Sequence, residues 1–274
     1  MSGANGAVAV VTLDNPPANT LTRDLMCRFL DHVDKWRDDE NIVVVVLTSA
    51  VPGIFTAGGD VGELLASAGS ADAVAAHTEL TDMLFGALDT LPQPVVAAVD
   101  GVAAGGGLEL LLCCDLVVAS DRSRFGTPEV TLGLIPGAGG TQRLPRRVGP
   151  GPALDMLLTG RLVPADHALT IGLVNEVTAP QHVKDRALSL AGRLAGLPRT
   201  AVRAAKAAGR AAADPSLSDG LAFERKLFTD LLLGDEARNR LAAFSRASAS
   251  DTPAFPEAEG VEVLPQSSAA SVGI

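Results

Sequence analysis

Short apolar runs and helical stripes alternate along the first half of the chain. Ala7–Leu13, Ile42–Thr48 and Val95–Val99 are apolar at nearly every position and have the length of strands. Continuous apolar strands are typical of a parallel sheet that is covered on both faces. Between these runs, Thr22–Trp36 and His77–Leu91 repeat their apolar residues at helical spacing. This alternation predicts an α/β fold.

Shorter elements and a mainly helical second half complete the pattern. Ala66–Ala76, rich in Ala, Ser and Gly, is predicted to be a mobile loop. The remaining predicted elements are a helix over Leu108–Cys114, strands over Leu116–Ala119, Arg124–Gly126 and Leu173–Val177, and helices over Pro152–Thr159, Pro164–Ile171, His182–Gly196, Pro198–Ala213 and Leu217–Phe244. Residues 248–274 are rich in Ala, Ser and Pro and carry acidic but no basic residues, which predicts a disordered tail. We therefore expect a core over residues 1–196, a helical region over 197–247 and a tail over 248–274.

Composition and charge narrow the class of partner and the compartment. The formal net charge of −10 and a pI near 4.8 argue against nucleic acid as a partner. Cys27, Cys113 and Cys114 have no C-x-x-C spacing, which suits a reducing compartment and predicts buried, inert thiols. The first residues lack the positive region of a signal peptide, and no apolar run approaches the roughly 18 residues of a membrane span. We therefore expect a cytoplasmic protein with no membrane partner.

The first candidate for a ligand-binding or catalytic segment is Gly105-Gly106-Gly107-Leu108-Glu109. Three consecutive glycines remove every side chain from a turn, so a ligand atom could approach main-chain N–H groups directly. A tight turn needed only for close packing explains the glycines equally well. Glu109 is followed by three leucines and is expected to face an apolar interior in part, where an unpaired carboxylate costs several kcal/mol. An acid in the first turn of a helix is, however, also simply stabilising.

A second acid, Glu129, follows Thr127-Pro128. Alone, a proline at the first helical position with an acid after it is ordinary capping. Together with Glu109 it predicts paired carboxylates that serve as general acid and general base. Other chemistries lack their motifs, because Gly137-Ala138-Gly139-Gly140 fails the G-x-G-x-x-G pattern and no P-loop, G-x-S-x-G or H-E-x-x-H motif occurs. The scattered histidines indicate neither a metal site nor a Ser–His hydrolase.

Four motifs, in order along the chain, resemble the crotonase, or enoyl-CoA hydratase/isomerase, superfamily. They are IFTAGGDV at Ile54–Val61, AAVDGVAAGGGLEL at Ala97–Leu110, FGTPEVTLGLIPGAGGTQRLPRRVG at Phe125–Gly149 and LTGRLVPADHALTIGLVNEV at Leu158–Val177. The resemblance weakens over the C-terminal helices and is absent from the tail. It implies a crotonase-like spiral of strand-strand-helix (ββα) units with a helical C-terminal trimerisation region. The expected assembly is a homotrimer or a dimer of trimers that binds acyl-CoA thioesters.

The resemblance also implies a reaction and its residues. A 2-enoyl-CoA hydratase adds water to a trans-2-enoyl-CoA to give a 3-hydroxyacyl-CoA, with no metal and no cofactor, since coenzyme A is part of the substrate. Glu109 and Glu129 match the two glutamates that flank the water, and the Glu129 position delivers a proton to Cα. Ala57 and Gly106 match the oxyanion-hole positions, whose N–H groups bind the thioester carbonyl. The implied substrate-binding residues are Ala18, Ala57, Gly58, Gly59, Asp60, Val61, Gly105, Gly106, Pro136 and Gly137.

Two alternatives stay open at this point. A double-bond isomerase of the same family needs, in many members, only the Glu129-type carboxylate, so the presence of Glu109 favours hydration without excluding isomerisation. A non-catalytic acyl-CoA-binding member would have lost one or both acids, and neither is lost here.

Overall fold

The computed structural model describes residues 6–214, 216–248 and 270–273 of the chain. The strands are β1 Ala7–Leu13, β2 Ile42–Ser49, β3 Ile54–Thr56, β4 Val95–Val99, β5 Val102–Ala104, β6 Leu116–Ser120, β7 Arg124–Gly126, β8 Leu162–Pro164, β9 Glu176–Thr178 and β10 Ala270–Gly273. The helices are α1 Arg23–Asp38, α2 Val61–Ser67, α3 Ala71–Asp89, α4 Gly106–Leu112, α5 Gly140–Val148, α6 Pro150–Thr159, α7 Ala165–Thr170, α8 Val183–Ala195, α9 Arg199–Ala211, α10 Leu217–Leu233 and α11 Asp235–Ser248. Short 3₁₀ helices span Pro128–Leu132 and Pro180–His182.

The strands form two sheets, and the chain alternates between them. The larger sheet has the order β10-β1-β2-β4-β6-β9 and is parallel throughout, whereas the smaller sheet has the order β3-β5-β7-β8 and is antiparallel only between β7 and β8. In three successive steps the chain gives one strand to each sheet and then a helix. The ββα units that the sequence implied are therefore present, and the α/β fold class is confirmed.

The larger sheet is covered on both faces, as its continuous apolar strands predicted. Val45 and Leu47 of β2 join the main core with α1, α3 and α4, while Val44 and Val46 point to the opposite face. There they pack with α8, which contributes small buried residues such as Ala187. Among the described residues, no helix combines the length and the apolar character needed to cross a membrane.

Several predicted elements need correction. The mobile loop predicted over Ala66–Ala76 is wrong, because α2 and α3 cover most of it and leave only a short connection. Alanine is the best helix former, and Asp60 and Ser70 cap the two helices by accepting from the N–H groups of Glu63 and Ala73. The long helix predicted over Leu217–Phe244 is two helices, since Gly234 is extended and separates α10 from α11.

The predicted disordered tail over residues 248–274 is wrong at both of its ends. Ser248 closes α11, and β10 pairs in parallel with β1, in a register that places Ala270 beside Ala9. An unpaired β1 would present a row of backbone donors and acceptors at the sheet edge, which a strand of almost any composition can pair. The part of the prediction that covers residues 249–269 lies outside the described residues. The thiol prediction holds for Cys113 and Cys114, which are buried, and is wrong for Cys27, which is exposed on α1.

Candidate active site

Two glycine-containing turns meet where β3 and β5 of the smaller sheet end. Gly58 has a φ of +96°, and a side chain there would lie 2.7 Å from the Ala104 carbonyl oxygen. Gly105 has a φ of +54°, which only glycine adopts without strain at such a turn. A Cβ on Gly107 would lie 2.3 Å from the Thr56 carbonyl oxygen. Close packing thus explains Gly107, and the turn conformation explains Gly105, which is buried, whereas Gly106 is partly exposed.

The free N–H groups of these turns belong to Gly59 and Gly106. Among the described residues neither N–H meets a hydrogen-bond acceptor, because Gly106 is the first residue of α4 and has no side-chain cap. A Cβ on Gly106 would lie 3.2 Å from the Gly59 nitrogen, so the two donors lie close together. The Ala57 N–H, by contrast, donates to the Ala18 carbonyl oxygen at 3.0 Å.

The position of Ala57 in the predicted oxyanion hole therefore needs correction. Its N–H is already paired with the carbonyl of Ala18, a residue that was itself predicted to bind substrate. The preference for Gly59 over Ala57 comes from the hydrogen bond between the Ala57 N–H and the Ala18 carbonyl, a contact between segments distant in sequence. The sequence offered no local signal for it.

Glu109 is buried in α4, with 3% of its surface exposed, and is held by a neighbouring loop. Its Oε1 accepts from the Ala138 N–H at 2.8 Å and from the Gly140 N–H at 2.7 Å. Burial raises the pKa of this carboxyl above its ordinary value, whereas the two N–H groups and the Arg143 charge oppose the rise. A Cβ on Gly140 would lie 2.9 Å from the same oxygen, so the contact requires glycine.

Glu129 lies in the 3₁₀ helix and faces the first glycine of the triple-glycine turn. Its Oε1 is 3.0 Å from the position that a Cβ on Gly105 would occupy, and its Oε2 is buried without a partner among the described residues. Burial is the main cause that raises the pKa of Glu129 to about 7, and the charge of Glu109 raises it further. The fold thus brings both predicted carboxylates to the same turn, in electrostatic contact with each other.

The other predicted binding residues divide into those that are accessible and those with structural contacts. Val61 and Gly137 are exposed, whereas Pro136 is buried against Gly140. Asp60 caps α2 and accepts from the Thr20 hydroxyl at 3.1 Å. These hydrogen bonds, with that from the Glu63 N–H foremost, lower the pKa of Asp60.

Asn19 is an organising residue that sequence reasoning missed. It is fully buried with a φ of +48°, and its side-chain amide donates to the Ser49 hydroxyl at 2.7 Å and to the Phe55 carbonyl oxygen at 3.1 Å. The Asn19 carbonyl in turn accepts from the Thr56 hydroxyl at 2.6 Å. Asn19 thereby fixes the segment that contains Ala18 against β3. The only signal in the sequence was an asparagine in a proline-rich turn, where asparagine tolerates positive φ.

A ββα spiral that carries paired carboxylates beside free backbone donors defines a crotonase-like protein. The family model for enoyl-CoA hydratase/isomerase matches residues 3–249, and the chain belongs to this family. It is 38% identical over 238 residues to the 2,3-dehydroadipyl-CoA hydratase of Escherichia coli, covering 86% of this chain and 91% of that protein. It is 36% identical over 242 residues to the short-chain-enoyl-CoA hydratase of Clostridium acetobutylicum, covering 87% and 91%. The crystal structure of an enoyl-CoA hydratase from Bacillus anthracis superposes with a TM-score of 0.83 at 33% identity, covering 91% of this chain and 95% of that one.

Proposed function

We propose that this protein is a 2-enoyl-CoA hydratase that adds water to trans-2-enoyl-CoA thioesters and forms 3-hydroxyacyl-CoA. The observation that carries the proposal is the pair of carboxylates, Glu109 and Glu129, at a turn with two free N–H groups. The names of the relatives, which include a short-chain-enoyl-CoA hydratase and a crotonyl-CoA hydratase, support the same reaction.

The backbone donors account for charge stabilisation. Addition of water to the double bond develops negative charge on the thioester oxygen, and the N–H groups of Gly59 and Gly106 are the donors available to receive it. One such donor is worth about 3–4 kcal/mol in the transition state. We therefore assign the oxyanion hole to Gly59 and Gly106.

The two carboxylates differ in the protonation state that their surroundings favour. Glu109 accepts hydrogen bonds from two N–H groups, which stabilise its ionised form. It is therefore suited to hold the water molecule and to accept a proton from it. Glu129 has a buried oxygen that finds no partner in the described part of the chain, and burial raises its pKa to about 7, so it is suited to carry a proton at neutral pH. The water oxygen bonds to Cβ, the Glu129 proton goes to Cα, and exchange with solvent restores both groups.

Substrate and assembly follow from the same proposal. The substrate is an acyl-CoA thioester, coenzyme A is part of it, and the reaction needs no further cofactor. A homotrimer or a dimer of trimers is supported by exposed apolar residues on the C-terminal helices, such as Phe228 and Leu233, which are 62% and 73% exposed. The cytoplasmic location stays a prediction from cysteine usage.

The proposal is tested by following the loss of the enoyl-thioester absorbance of crotonyl-CoA. We expect turnover by the wild type, and a loss of about 10²–10⁴-fold in each of Glu109→Gln and Glu129→Gln, because each removes one acid–base group. Full turnover by the double variant would refute the assignment of both residues. Binding of thioester without turnover at any chain length would instead favour the acyl-CoA-binding alternative.

Isomerisation of the double bond is a second candidate because Glu129 could move a proton between Cα and Cγ by itself. Its raised pKa suits it both to take and to give a proton near neutral pH. A 3-enoyl-CoA substrate separates the two reactions. An isomerase would convert it to the 2-enoyl-CoA in the Glu109→Gln variant as fast as in the wild type, whereas a hydratase would leave this unconjugated substrate unchanged.

A further inference from the structure

The loop that holds Glu109 is itself held by Arg143 of α5. The Arg143 guanidinium folds back and donates through Nη1 to the Ala138 carbonyl oxygen, while the Ala138 N–H donates to Glu109. Gly139 has a φ of +94°, and a Cβ there would lie 2.0 Å from Arg143 Nη1. The guanidinium therefore fills the space that a side chain on Gly139 would need. The Ala138–Gly140 loop and the Arg143 side chain therefore pack directly against each other.

Arg143 is fixed in turn by a network of ion pairs. Its Nε donates to Asp89 Oδ2 at 2.7 Å, at the end of α3, and both side chains are about three-quarters buried. The other oxygen of Asp89 accepts from Arg210 of α9 at 2.9 Å. Arg210 also donates to Asp115 at 2.8 Å. A planar guanidinium that donates several hydrogen bonds fixes the position of the loop more closely than a flexible lysine would.

We propose that Arg143 is a positioning residue, which, anchored by Asp89, holds the Ala138–Gly140 loop in the conformation that orients the Glu109 carboxylate for hydration. The inference rests on the proposed hydratase function. In this role Arg143 does not contact the reacting atoms. It acts through Ala138 on one oxygen of Glu109, which leaves the other oxygen of the carboxylate for water.

Arg143 also affects the charge state of Glu109. The groups that face Glu109 are Arg143 from α5, the N–H groups of the loop, and Glu129 from the 3₁₀ helix. Arg143 is faced by Asp89 from α3, by Cys113 directly after α4, and by Glu109 itself. Since the Arg143 charge lowers the pKa of Glu109, its removal is expected to raise that pKa further.

The kinetic test is a double-mutant cycle on crotonyl-CoA hydration. We expect Arg143→Gln to lower kcat about 100-fold with little change in KM, as for a misplaced catalytic group, and Arg143→Lys to recover part of the loss. In the Glu109→Gln background the same change is expected to have no further effect. Arg146→Gln is the matched control, since Arg146 lies on the exposed side of the same helix and pairs with Asp214 at 3.4 Å. An equal fold-loss in both backgrounds would overturn the inference.

A second readout does not depend on activity. In protein labelled with carbon-13 at its glutamate carboxyls, the Glu109 signal is assigned by its loss in Glu109→Gln and followed with pH. We expect a higher titration midpoint in Arg143→Gln and no change in Arg146→Gln, and an unmoved midpoint in Arg143→Gln would overturn the inference. Asp89→Asn, which loosens Arg143 without removing it, serves the same purpose if Arg143→Gln does not fold. A wild type without hydratase activity would refute the proposed function and leave this readout intact.

Discussion

The protonation of Glu129 is the residue-scale feature with the clearest consequence in solution. Its pKa of about 7 results mainly from burial, with a contribution from the charge of Glu109. If Glu129 donates the proton to Cα, the active form is the protonated one. We therefore predict that kcat/KM falls about tenfold per pH unit above pH 7, and a pH profile with crotonyl-CoA checks this. A profile that stays flat up to pH 9 would contradict the role of Glu129 as the acid.

The absence of a side chain at Gly106 is the second residue-scale feature. A Cβ there would lie 3.2 Å from the Gly59 nitrogen and 3.4 Å from Leu21 Cδ1, in the space between the two free donors. We predict that Gly106→Ala lowers kcat about 10²–10³-fold, the cost of one lost oxyanion donor, while the folded protein persists. Gly209→Ala, in open space on α9, is the control. Comparable activity of the two variants would exclude Gly106 from the oxyanion hole.

At the scale of elements, α9 is attached to the core through a buried ion pair. Lys206 and Asp115 are 2.6 Å apart, and their side chains are only 8% and 17% exposed. We predict that Lys206→Met lowers the free energy of unfolding by roughly 2 kcal/mol, because the hydrogen bonds of the Lys206 ammonium to Asp115 and to the Gln93 carbonyl are lost while Arg210 still pairs with Asp115. Lys226→Met is the control, since it removes an exposed pair with Asp230 on α10 that is worth about 0.5 kcal/mol or less. Urea denaturation that gives equal values for both variants would contradict this.

The sequence predicted elements well where local patterns decide, and less well where distant contacts do. The apolar runs predicted β1, β2 and β4 correctly, because a strand that is covered on both faces needs apolar residues at nearly every position. The three-residue strands β3, β5 and β8 are too short for any periodicity, and only pairing with neighbours defines them.

The same division applies to the candidate site. Glu109 stood out because a carboxylate beside apolar residues carries an energetic cost that needs an explanation, and Glu129 gained its meaning as the partner of Glu109 and from the family resemblance. The sequence could not predict that Gly59, in place of Ala57, is the proposed oxyanion-hole donor, or that Arg143 contacts the loop that holds Glu109. Both depend on hydrogen bonds between segments that are distant in the chain.

At the scale of the whole molecule, the exposed apolar residues of α10 and α11 form the surface at which we expect the proposed assembly to be made. Leu217, Phe228, Leu233 and Phe244 are each more than half exposed. We predict a mass of three or six chains by light scattering, and dissociation on Phe228→Glu, since a buried charge without a partner opposes association. A monomer at all protein concentrations would contradict the predicted assembly.

In the proposed reaction, Glu109 and Glu129 together add a water molecule to an enoyl thioester. The most direct test is the mass of the product formed from crotonyl-CoA in heavy-oxygen water. We predict that the wild type yields 3-hydroxybutyryl-CoA with one heavy oxygen on the acyl chain, and that the Glu109→Gln/Glu129→Gln variant yields none above the uncatalysed background. Unchanged crotonyl-CoA with the wild type, or equal labelling by the double variant, would contradict the claim.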